Sequence, residues 1–236
     1  MDETEREQRA AERLAAAYGP QLPAAQADAI ERSLAVGAPR RAMTDLAAAL
    51  ADHRVPLATG DATELHVLLA AAEALDVRDR LLFPAPPTDY GLYVLGASAD
   101  AVAAAVAAEF GVPPEGVGVA SGETYTGPDR AEVYLTAISG MVAEMSAGKD
   151  FADRTGGASE LDVAAALCRR LSCRVVLSAV GLGPDDWVLV TPGGHGLVQV
   201  SEEANAEQWE FTCALELVPG ASELPVRPPR LLWWVT

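Results

Sequence analysis

Few residues of this 236-residue chain have the types and neighbours that chemistry requires. His195 lies in the stretch Thr-Pro-Gly-Gly-His-Gly, between two apolar runs. A catalytic imidazole needs an orienting carboxylate and a nucleophile, and no GxSxG or comparable motif accompanies it. Asp185 and Asp186 are adjacent carboxylates in a glycine- and proline-bearing turn, where nothing supplies the further oxygen ligands a cation requires. The segment GVPPEGVGVASG follows a helical pattern and holds two prolines, so it lacks the strand-to-helix glycine turn of a phosphate loop. Cys168, Cys173 and Cys213 are odd in number and form no CxxC pair, with only His53, His66 and His195 as possible co-ligands. That arithmetic indicates neither a disulfide framework nor a zinc site, and Cys168, on an apolar helical face, reads as a small buried hydrophobe. The remaining signal is a run of acids interleaved with aromatic residues: Asp185, Asp186 and Trp187, then Glu202, Glu203, Glu207, Trp209 and Glu210. Tryptophan anchors binding interfaces and carboxylates steer a basic partner. The same residues would also suit the core and wet edges of a sheet. Glu123 and Tyr125 form a smaller second candidate. These residues point to partner binding; no catalytic set, metal site or cofactor is implied.

The elements that must position this run follow from periodicity and breakers. Phe83-Pro-Ala-Pro-Pro-Thr-Asp89 cannot continue a helix or a central strand, which predicts a linker over 84–89. Beyond it, residues 91–97 read as a strand, and Ser98 caps a helix closed by Gly111. Residues 117–119 form a short strand, 122–129 a polar turn, and 131–138 a half-buried strand with 141–145 as its hairpin partner. After a polar glycine-rich stretch over 149–157, Ser159 and Asp162 open a second helix, followed by strands over 174–180, 187–191, 197–200 and 209–217. Trp233 and Trp234 end the chain in an apolar segment expected to pack as an edge strand or against helices.

Before the linker the pattern is helical throughout. Residues 2–18 alternate Glu and Arg at helical spacing over a thin apolar face of Leu14 and Tyr18, a solvated helix stopped by Gly19-Pro20. Ala27, Ile30 and Leu34 share one face of the next helix, which Gly37 and Pro39 end. Met43, Leu46, Ala47 and Leu50 make the buried stripe of a third, ending near His53. Val55-Pro56-Leu57 is extended, and Asp61 with Glu64 reads as a capping box opening a helix that carries Leu65, Leu68, Leu69, Ala72 and Leu75. A last turn over 77–82 completes the unit.

The sequence ERSLAVGAPRRAMTDLAAALADHRVPL followed by ELHVLLAAAEALDV resembles the MafI-type immunity proteins of bacterial polymorphic toxin systems, over roughly residues 24–82. The resemblance is one of helices, corners and apolar spacing. It implies a protein that neutralises a cognate toxin domain by binding it, without catalysis.

Composition agrees with a binding role. The formal charge is −17, with 9 basic against 14 acidic residues up to Thr88 and 8 against 20 after it. Phosphate binding needs Lys and Arg to displace counterions, so the balance argues against direct nucleic-acid binding and suits a basic protein partner instead. Resemblance and charge together imply a nuclease toxin whose active site is occluded. No stretch reaches the ~18 apolar residues of a membrane span, and the acidic N-terminus is unlike a signal peptide, so a cytoplasmic protein without membrane contact is expected. The expectation is thus an α+β, two-domain chain: a small α-helical bundle over 1–83, the linker, and an acidic domain over 90–236 whose mostly antiparallel sheet is covered by two helices. The alternative is an α+β enzyme or small-ligand-binding domain with a helical regulatory unit.

Overall fold

The computed structural model describes residues 3–83, 87, 89–122, 124–179, 182, 184–201 and 209–227. The candidates Glu123, Glu202, Glu203 and Glu207, most of the proline segment and the Trp233-Trp234 tail lie outside them. The fold is α+β, with helices at the N-terminus and a nine-stranded, mostly antiparallel sheet after them. Two compact units are described in turn. Among the described residues no helix is long and apolar enough to cross a membrane.

Five helices build the first unit: α1 (Glu3–Tyr18), α2 (Ala24–Ala35), α3 (Pro39–His53), α4 (Thr59–Ala71) and α5 (Leu75–Leu82). The stops after α1 and α2 fall where breakers stand. Gly37 takes φ 71° after α2, and the Ala38 amide reaches back to the Ser33 carbonyl at 2.9 Å. Such left-handed caps satisfy carbonyls that the helix leaves orphaned. Met43, Leu46, Ala47 and Leu50 are buried as the spacing predicts, and Val55 and Leu57 fold back onto the same core. α1 is more than a solvated helix, because Ala10 and Ala11 widen the Leu14/Tyr18 face into a stripe that joins this core.

Two further expectations are corrected. Asp61 and Glu64 form no capping box, since α4 begins two residues before Asp61, and both carboxylates turn toward α1. Arg13 bonds Asp61 at 2.6 Å and also pairs with Glu64. The Tyr18 hydroxyl donates to Asp61 at 2.8 Å and accepts from the Ala58 amide at 3.1 Å. Burial raises the Glu64 carboxyl above its ordinary range against the opposing pull of Arg13. The helix expected to carry Leu75 breaks instead at Glu73, whose φ is 56°, and Leu75 begins α5 half-exposed.

His66 is fully buried on α4, and neither ring nitrogen has a hydrogen-bond partner. Burial, reinforced by the Arg78 guanidinium and opposed by Asp79, pushes its pKa down to about 3 from 6.5. The unfolded chain therefore binds a proton that the folded chain refuses between those values. Stability must fall as pH drops from 6.5 toward 3. His66→Phe removes this dependence: between pH 7 and pH 4 the wild type should lose roughly 3 kcal/mol more stability than the variant, by urea denaturation. Equal losses would show that His66 is not the titrating group. Arg13→Met should cost about 2 kcal/mol by stranding Glu64, and the added change Glu64→Leu should recover most of it.

The second unit is organised around β1 (Tyr90–Leu95). The other strands are β2 (Val117–Ser121), β3 (Thr124–Thr126), β4 (Val133–Ser139), β5 (Val142–Ala147), β6 (Arg174–Leu177), β7 (Asp186–Thr191), β8 (Gly194–Val200) and β9 (Phe211–Ala214), in the order β3-β2-β4-β5-β1-β6-β7-β8-β9. Among these strands β2 and β4 are the pair that runs parallel. Helix α6 (Ala99–Phe110) packs on β2, β4 and β5, and α8 (Glu160–Leu171) on β1, β6 and β7. The two touch each other and so share one face, the inner face here. Ser98 caps α6, and Ser159 with Asp162 opens α8 as expected, the two forming a capping box there. The stretch over 149–157 holds a short helix, α7 (Lys149–Arg154), and the polar turn over 122–129 contains β3, where the sequence predicts irregular chain. Elements of six and three residues are too short to show a period.

A candidate partner-binding face

Strand alternation divides the sheet's side chains. Leu92, Val94, Leu135, Met145, Val175, Val188, Val190 and Leu197 are buried on the inner face. The outer face carries Tyr93, Val176, Leu189 and Val198, and the helices leave it to other cover. Over β6, β7 and β8 that cover is the chain after β9. Val218 and Ala221 pack onto Val176, Leu189 and Val198. The Leu215 amide bonds the Leu197 carbonyl at 2.8 Å, and the Glu216 carboxylate accepts from the Leu197 amide at 2.9 Å. The Thr191 hydroxyl donates to the Pro219 carbonyl, and Arg174 pairs with Glu223. Gly196 makes the close approach possible, since a Cβ there would stand 2.9 Å from Val218 Cγ2.

Beside this strap the aromatic residues meet. Trp209 stands edge-on to Trp187 at 5.0 Å, tilted against Tyr93 at 5.0 Å and stacked with Phe211 at 6.4 Å. Tyr93 and Trp187 are 6.2 Å apart. All four are half-buried. The Trp187 indole donates to the Pro184 carbonyl at 3.2 Å, whereas the buried Trp209 indole nitrogen has no acceptor. Burial, and then Glu144, raise the Tyr93 phenol above its ordinary pKa.

The outer face over β4 and β5 is more open. Tyr134, Thr136 and Ser146 are exposed, and Glu144 is half-buried between Thr136 and Tyr93 in the strand register. At the far end lies an open cavity of about 350 Å³ lined by Asp89, Glu132, Tyr134, Ser146, Lys149 and Asp150. Glu132 is held there by Arg154 at 2.5 and 2.9 Å.

The candidate residues are thus sorted by the sheet. Trp187 and Trp209 come together. Asp186 does not join them, because neighbouring residues of a strand point to opposite faces; it accepts from Gln199 Nε2 at 3.0 Å instead. Asp185 and Glu210 are exposed, and their carbonyls accept from the Val200 and Ser201 amides. His195 lies within β8 opposite Val190, not in the turn expected for it. Tyr125, the second candidate, lies on β3, where its hydroxyl donates to the Pro128 carbonyl at 2.6 Å and fixes the following loop. The sequence reading missed Tyr93, Glu144 and Phe211; the only signal for Tyr93 and Glu144 was the alternation of β1 and β5. Cys168 and Cys173 are buried, and the Cys168 thiol donates to the Val190 carbonyl at 3.3 Å. Among the described residues no His, Cys, Asp and Glu cluster could hold a metal ion.

No family model, curated protein or solved structure matches this chain.

Gly196→Ala should lower stability by about 2 kcal/mol, because Val218 and Glu216 must move. Gly91→Ala, on the same sheet with open space at its Cβ, should change it by less than about 0.5 kcal/mol. Chemical denaturation of the two variants tests whether the strap is tightly seated.

Proposed function

We propose that the protein is an immunity-type inhibitor that binds a basic bacterial toxin, of nuclease type, and occludes its active site. The observation that carries this reading is the outer sheet face, where Tyr93, Trp187 and Trp209 form one aromatic surface, in the part of the chain after Thr88 that holds 8 basic against 20 acidic residues. Aromatic anchors in an acidic part of the chain, with Glu144 beside Tyr93, suit a partner whose own surface is cationic. The likeness of residues 24–82 to MafI-type immunity proteins supports the same reading and supplies the toxin as the partner class. A nuclease surface shaped for phosphates would accept carboxylates in their place.

Co-expression with the C-terminal toxin domain of the neighbouring large open reading frame should restore growth and yield a stable complex. Absence of both rescue and binding would overturn the proposal. Association should be electrostatically steered, so raising salt from about 0.02 to 0.3 M should slow it roughly tenfold or more by stopped-flow fluorescence. A rate insensitive to salt would show that the acids do not guide the encounter.

A further inference from the structure

Glu144 is out of keeping with the other carboxylates. Among the described residues, every other Asp or Glu that is not fully exposed holds a hydrogen bond or an ion pair. Asp61 and Glu64 hold Arg13, Glu132 holds Arg154, Glu160 accepts from the Gly91 amide and Asp186 from Gln199. Glu144 is half-buried on β5 and makes neither kind of bond. Partial burial strips water from a carboxylate, and leaving it unpaired is costly. Its cross-strand neighbours are Thr136 on one side and Tyr93 on the other, and behind Tyr93 stands the Trp209 ring at 5.0 Å.

We propose that this position is a seat for an arginine side chain of the partner, carried on a segment lying along the open outer face over β4, β5 and β1. The inference rests on the reading of a basic partner above and names the group recognised. A guanidinium is flat: it stacks on an aromatic ring while its fork of N–H donors meets a carboxylate. Tyr93 with Trp209 supplies the ring surface and Glu144 the acceptor. An ammonium makes the ion pair but lacks the flat, forked geometry, so lysine fits less well. The face continues past the Ser146 and Tyr134 hydroxyls toward Asp89 and Asp150; among the described residues lining that end Lys149 is the one cation, and Arg154 beside it is paired with Glu132. Its charge therefore favours a cationic segment along its length.

The test uses the full chain with hexa-arginine and hexa-lysine peptides in calorimetric titrations at low salt. Wild type should bind the arginine peptide about tenfold more tightly than the lysine peptide. Glu144→Gln, which removes only the unpaired charge, should abolish that preference without lowering the melting temperature. Glu115→Gln, at an exposed carboxylate elsewhere, should leave it intact. Equal affinity of wild type for the two peptides, or a preference retained in Glu144→Gln, would overturn the seat. Titration of a cognate toxin domain separates this from the broader reading. Unchanged toxin affinity in Glu144→Gln refutes the seat and leaves toxin binding standing. An arginine preference lost in Glu144→Gln, in a protein that binds no toxin, sustains the seat and removes the toxin.

Discussion

The second unit depends on one requirement: strands β6, β7 and β8 are apolar on both faces, and two helices can cover only one. Val175, Val188, Val190 and Leu197 are sealed beneath the helices, while Val176, Leu189 and Val198 face the other way. Leaving those three in water would forgo roughly 1.5–3 kcal/mol for each side chain. The chain after β9 therefore turns back over the sheet and lays Val218 and Ala221 on them. Its polar groups serve that arrangement. Glu216 extends the β8–β9 ladder with a carboxylate where the backbone departs, and Thr191 bonds the Pro219 carbonyl where the strap crosses the β7–β8 turn.

The cover is incomplete, and the candidate site lies where it thins. Trp209, just before β9, reaches across to Trp187 and Tyr93, so the strap gives way to an aromatic cluster and then to the open strands β1, β5 and β4. These rings serve as core and as surface at once. Their half-burial is what the interleaving of acids and aromatics could not decide. The acids proved less concerted than their spacing suggested: Asp186 belongs to the inner face, and the carboxylate that does stand beside the aromatic surface is Glu144, some forty residues earlier.

In the helical unit the comparable constraint is a clasp of charge. α1 carries a narrow apolar stripe, and Arg13 and Tyr18 add bonds to Asp61, with Glu64 drawn into the pair. A buried carboxylate with one partly exposed partner is a modest stabiliser but a strong specifier, because the register of α1 on α4 that fails to pair it leaves the charge stranded. His66 and Arg78, both buried on neighbouring helices, make the same unit sensitive to acid.

The sequence by itself determined where most elements begin and end. Gly37, Gly111 and Ser159 stop or start helices through backbone sterics and local hydrogen bonds, and the stripes of α3 and α8 and the alternation of β1 and β4 are set within a few residues. Those are short-range causes, and they can be read from a short window. Tertiary structure decided what depends on a distant partner. Asp61 and Glu64 have the spacing of a capping box, yet Arg13, about fifty residues away, drew them into an ion pair, and α4 began earlier. α7 and β3 are too short to show a period and exist because β5 and β2 offer them neighbours. Which ring meets which, which acid faces inward, and which carboxylate is left without a partner follow from the strand order β5-β1-β6-β7-β8-β9, in which β5 and β1 are neighbours although forty-six residues separate the ends they bring together, Leu95 and Val142. Periodicity assigns a face to each residue, but only the pairing of strands says what else lies on it.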